Sequence, residues 1–130
     1  MQVDFAFLCD AATESGGKVH ALGIGFERIT VRSLPVIHPR AVAVVRFAFT
    51  RGDEGAHAFR VRVSDSDGQD VAPPVEGQVN LAVGEDNSGG KANMIVDLVQ
   101  MELRAHGPHE VTVFIDGRAF VSLPFEVVPG

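Results

Sequence analysis

A chain of 130 residues with 45% hydrophobic and 22% charged residues is long enough to bury a real core as one domain, residues 1–130, and too apolar to be disordered. Its formal net charge of −6 leaves no surplus of Lys and Arg to neutralise phosphates, which argues against nucleic acid and anionic membrane surfaces as partners.

The opening stretch, "VDFAFLC", alternates in period two and places Val3, Phe5, Phe7 and Cys9 on one predicted strand face. It lacks the positive charge and the length of an export segment, and no run approaches the ~18 apolar residues of a membrane span. Cys9 is the only cysteine, so no intrachain disulfide forms and a cytoplasmic location is expected. On an apolar strand face it reads as a buried thiol and not a nucleophile.

"KVHALGIGF" continues the alternation with two glycines that weaken or bulge a strand. "RAVAVVRFAFT" (40–50) is apolar on both faces, the signature of a central strand. "AHAFRVRVS" points Phe59, Val61 and Val63 inward and Arg60 and Arg62 outward. Val79, Leu81 and Val83 repeat the pattern in "GQVNLAV". The stretch 93–106 fits two patterns: a helix capped by Asn93 and ended by Gly107 and Pro108, or a strand whose phase switches near Leu98. The strand is the better fit beside so many others. "EVTVFI" offers Val111, Val113 and Ile115. "AFVSLPFEVV" offers Val121, Leu123, Phe125 and Val127, with Phe120 and Val128 pointing the other way.

Loops rich in Gly, Pro and Asp separate these runs. The pattern predicts an all-β fold, an antiparallel immunoglobulin-like or macroglobulin-like β-sandwich of seven to nine strands. The terminal strands are the expected edges, and their unpaired backbone groups, with Phe120 and Val128 facing out, point to self-association as a homodimer.

The candidates for chemistry are few. "SDSDGQD" fails as an EF-hand, because starting from Asp65 the glycine falls at the fourth position and Gln69 at the fifth. Asp-Gly instead reads as turn chemistry, as it does in "FIDGRAF". The alternative is a calcium-dependent sandwich in which Asp65, Asp67 and Asp70 combine with Glu85 and Asp86. Of His20, His38, His57, His106 and His109, only the last two are close in sequence, and zinc sites need more thiols or imidazoles than this. No nucleophile elbow, dinucleotide fingerprint or phosphate loop is present, so an uncharacterised hydrolase ranks last and no catalytic residue or cofactor is assigned. The function expected is a non-enzymatic binding or structural module acting through protein contacts.

"FAFLCDAATESGGKVHALGIGFERI" resembles the N-terminus of a family of short bacterial proteins of unknown function, through Leu8, Cys9, Asp10, Gly17, Lys18 and Gly23. "HGPHEVTVFIDG" followed by "LPFEV" matches more weakly, and the middle of the chain poorly. The resemblance implies a small all-β domain and no known activity, substrate or catalytic residue.

Overall fold

The computed structural model describes residues 1–130. Ten strands account for all the regular structure apart from a single 3-10 turn at Arg51–Asp53. They are β1 (Gln2–Cys9), β2 (Ala11–Ser15), β3 (Lys18–Leu22), β4 (Arg28–Val31), β5 (Val36–Thr50), β6 (Gly55–Asp65), β7 (Val75–Leu81), β8 (Gly89–Leu103), β9 (Gly107–Ile115) and β10 (Arg118–Pro129). They form a three-stranded sheet ordered β1-β5-β8, a five-stranded sheet ordered β4-β10-β9-β6-β7, and the separate hairpin β2-β3.

The expected strand count is therefore too low. Gly23 and Gly25, both at positive φ, stop β3 at Leu22, and the run read as one strand yields β3 and a free connection to β4. Gly23 also lies so close to Asp10 that a β-carbon there would overlap its carboxylate. Nor is every pairing antiparallel. β4 joins β10 in parallel, Arg28 opposite Glu126 through Val31 opposite Pro129, because the chain leaves the hairpin and crosses to the other sheet.

The main core lies between the two larger sheets. Ala41, Ala43, Val45, Phe47 and Phe49 of β5 and Met94, Val96 and Leu98 of β8 meet Val61 and Val63 of β6, Val111, Val113 and Ile115 of β9, and Phe125 and Val127 of β10. The opposite face of β5 is covered as well: Val42 and Val44 pack with Cys9 beneath the hairpin, against Phe7, Ala12, Val19, Ala21 and Ile95. Burial on both faces explains why this strand is apolar throughout.

Three irregularities set which side chains face in. β1 carries a bulge between Val3 and Phe5, so Val3 joins Ala6 and Leu8 at the main core while Phe7 and Cys9 face the hairpin. The expected single face of Val3, Phe5, Phe7 and Cys9 is thereby split. In β8, Gln100 adopts a φ of +55°, and the strand changes phase there: Met94, Val96 and Leu98 precede it and Met101 and Leu103 follow, all buried. The stretch is strand as far as Leu103, and Val99 is left on the outside. In β10 the bulge between Ala119 and Val121 turns Phe120 inward against the core, contrary to its expected outward placement.

β1 is an edge, as expected, but β10 is not, since β4 and β9 flank it.

Candidate functional site

The aspartate loop is organised by its own backbone. Asp65 Oδ1 accepts the N–H groups of Asp67 and Gln69, both at 3.0 Å, and Gly68 N–H donates to the Asp65 carbonyl at 3.0 Å. The Asp70 carboxylate is taken by Arg62 Nε at 2.9 Å, while a second nitrogen of Arg62 donates to the Gly68 carbonyl at 3.2 Å. Arg104 closes the loop from the far side, donating to the Asp70 carbonyl at 2.8 Å. This is an Asx-type turn pinned by two arginines.

Glu85 and Asp86 lie elsewhere. They follow β7, whose end Leu81 is paired with Gly55 at the start of β6, whereas Asp65 ends that strand. The five acidic residues that could have shared a cation stand at opposite ends of an eleven-residue strand. No three His, Cys, Asp or Glu side chains anywhere in the fold converge on one point.

Cys9 is fully buried in the smaller core, with its thiol 3.5 Å from the Ala11 carbonyl. Burial pushes its pKa up, against the opposing pull of that carbonyl contact. His106 and His109 are not brought together as a pair: His106 is exposed and His109 is buried. His109 Nδ1 donates to the Gly107 carbonyl at 3.0 Å, the ring stacks on Phe125 at 5.2 Å, and Nε2 has no hydrogen-bond partner. Phe125 also meets Phe26 edge-on at 6.0 Å, and Phe26 in turn meets His38 at 5.7 Å.

His57 lies in a polar constellation that the sequence does not single out. Its Nδ1 is 2.6 Å from Asp116 Oδ2 and its Nε2 is 2.5 Å from the Asp53 carbonyl oxygen. Asp116 and Gly117 form the two-residue turn between β9 and β10, both at positive φ, as a type I′ turn requires. That conformation aims the Asp116 carboxylate back at β6, where its other oxygen accepts Ala58 N–H at 3.0 Å. The Asp116 carboxylate, and then the Asp53 carbonyl, raise the imidazole pKa above its ordinary value. In return His57 holds the Asp116 carboxyl below the usual carboxylate range. Both neighbours are acceptors, so the ring satisfies them together only when both nitrogens carry a hydrogen, and in that form it has no free lone pair to act as a base. The sequence offers only a histidine leading one alternating run and an Asp-Gly turn closing another, with nothing to join them.

Two surfaces are open. The outer face of the five-stranded sheet carries a groove of about 680 Å³ lined by Arg60, Arg62, Glu76, Gln78 and Phe114 among others. Its arginines are already paired, Arg60 with Glu76 at 3.4 Å and Arg62 with Asp70. The other surface mixes exposed apolar side chains with ion pairs, Arg40–Asp97 at 2.9 Å and Lys91–Asp4 at 2.5 Å among them. Leu22 (72% exposed), Ile24 (61%), Ile37 (54%), Val99 (51%) and Phe5 (40%) all belong to the three-stranded sheet, its hairpin or the segment leaving the hairpin. The five-stranded sheet exposes no large hydrophobic side chain to that degree.

A family model described as "Family of unknown function (DUF6941)" matches residues 4–128. No curated protein matches the chain. Among solved structures, the chain is similar to Pseudomonas fluorescens alkylpurine DNA glycosylase AlkC bound to DNA containing an abasic site analog, at 11% identity and a TM-score of 0.55. The likeness covers 98% of this chain but 30% of the glycosylase, and it is a likeness of fold. No helix of the structure is long and apolar enough to cross a membrane.

Proposed function

This chain belongs to the DUF6941 family of unknown function, and from that premise we propose that it is a non-enzymatic binding module that works through protein contacts, beginning with a second copy of itself. One observation carries the reading: the large exposed apolar side chains are segregated onto the three-stranded sheet and its hairpin, where they stand among ion pairs such as Arg40–Asp97, while the five-stranded sheet exposes none to that degree. Scattered apolar residues need no explanation, but segregation onto one layer of a two-layer fold is the distribution of an interface. On the same reading the two larger sheets are an immunoglobulin-like sandwich to which the hairpin is added; a core shared between facing sheets supports this.

Nucleic acid is a poor partner for a chain of net charge −6 whose groove arginines are already neutralised, and the glycosylase likeness does not change that. The lone buried thiol suits a reducing compartment such as the cytoplasm.

Light scattering behind size exclusion at micromolar concentration tests the proposal. The expected wild-type mass is that of a dimer, and a Leu22→Ser/Val99→Ser double variant should run as a folded monomer, since exposed substitutions cost little stability. A wild-type monomer, or a double variant that stays dimeric, would place the interface elsewhere or remove it.

A further inference from the structure

We propose that His57 is a proton-operated latch that holds the 3-10 turn and, through Arg51, the 84–88 loop against the β9–β10 hairpin. Three elements meet at this ring. Asp116 approaches Nδ1 from the β9–β10 turn, and the Asp53 carbonyl approaches Nε2 from the 3-10 turn. On β7 the register partner of His57 is the uncharged Val79. The remaining nearby charges are mutually occupied. The Asp53 carboxylate accepts Thr50 N–H at 2.9 Å and lies 3.5 Å from the Met1 amino group, and Arg51 pairs with Glu54 at 3.3 Å.

The ring can satisfy both neighbours only as imidazolium, because both are acceptors. When the proton leaves for solvent, one nitrogen keeps its hydrogen and the other presents a lone pair. A lone pair toward the Asp116 carboxylate is the worse arrangement, so the remaining hydrogen stays on Nδ1. Nε2 is then left lone pair to lone pair with the Asp53 carbonyl, a contact that must open.

What opens with it is defined by the bonds that Arg51 makes. One guanidinium nitrogen donates to the carbonyls of Gly84 at 2.8 Å, Glu85 at 3.3 Å and Asn87 at 2.5 Å, and Arg51 N–H donates to Ser88 O at 3.0 Å. The loop has no sheet partner of its own, so displacement of the 3-10 turn withdraws its main support.

The experiment is a histidine-resolved NMR titration of the wild-type protein together with amide exchange, corrected for intrinsic pH dependence. The His57 midpoint is expected above that of a free histidine. Protection of amides in 51–57 and 84–88 should fall roughly tenfold across that midpoint, about the worth of one hydrogen bond, while β9 is unaffected. Asp116→Asn keeps the turn, since Asn tolerates positive φ, and should shift the midpoint and the loss of protection downward together. A midpoint at or below the free value overturns the proposal. So does protection in 84–88 that ignores the titration of His57, or that changes identically in His57→Gln.

Discussion

The ring of Phe120 stands edge-on to that of Phe47, centroids 5.4 Å apart and planes at 84°, across the gap between the two larger sheets. Phe47 is fully buried on the central strand, and Phe120 reaches it only because of the bulge in β10. Phe47→Ala is expected to cost about 3–5 kcal/mol and Phe120→Ala, partly exposed, about 2 kcal/mol. A double-mutant cycle by denaturant unfolding should return a coupling of about 0.5–1.5 kcal/mol. Strict additivity would mean that the rings merely share a core.

The aspartate loop separates three carboxylates that look alike in the sequence. Asp65 caps two backbone N–H groups, whereas Asp67 has no side-chain partner among the hydrogen bonds or ion pairs. Asp65→Ala should lose about 1–2 kcal/mol and Asp67→Ala should stay within about 0.5 kcal/mol of wild type. Millimolar calcium should leave the melting temperature where it was. A saturable upward shift, abolished by Asp67→Ala, would establish the cation site that the turn reading denies.

Cys9 gives a direct probe of the hairpin. With its thiol buried under β2 and β3 and its pKa raised, native protein should label slowly with thiol reagents at neutral pH and fully once unfolded. Fast labelling of the native state would show that the hairpin lifts from the sheet.

The His57–Asp116 pair gives stability two limits in pH. The imidazole pKa is raised on folding, so its contribution is complete below the unfolded value of about 6.5 and is lost as pH rises through the folded one. The carboxyl pKa is lowered, so its contribution is present above the unfolded value of about 3.9 and is lost as pH falls through the folded one. Urea midpoints measured across pH should therefore decline on both sides of a plateau. His57→Gln should flatten the alkaline decline and weaken the acid one.

Much of this architecture is legible in period-two patterns. The two-faced apolar run 40–50 marks the central strand, and Val61 and Val63 of β6 and Val111, Val113 and Ile115 of β9 are buried as their alternation predicts, with Phe59 half-buried at the end of its set. The phase switch that lets 93–106 be read as strand is real, and its hinge is Gln100, where the backbone takes a positive φ without shifting the register against β5. What alternation cannot show is where a bulge falls. One extra residue in β1 and one in β10 move Val3 and Phe120 to the opposite face, and no residue type there announces it.

The polar sites were less legible for a similar reason. "HAFRVRVSDSDG" and "HEVTVFIDG" look alike as strings, a histidine opening a strand that closes in Asp-Gly. Only the antiparallel register of β6 on β9, with Phe59 opposite Ile115, brings the first histidine beside the second Asp-Gly. Asp65 and Glu85 are separated by the same kind of fact, since β7 reverses the direction of β6 before the second acidic loop begins.

The parallel pairing of β4 has a consequence in time. β4 follows the first hairpin directly, yet its only sheet partner, β10, is the last strand of the fold. No local turn can bring them together, so closure of this pair carries a large loop entropy and cannot precede the meander β6-β7 and β9-β10 that supplies the platform. Until then Ile29 and Val31, both buried in the finished structure, are exposed on a short strand with unsatisfied backbone groups. The slowest step in folding should be the arrival of β4 on β10. A chain delayed at that step would present the same strand edge to other copies of itself, where pairing between molecules competes with pairing within one.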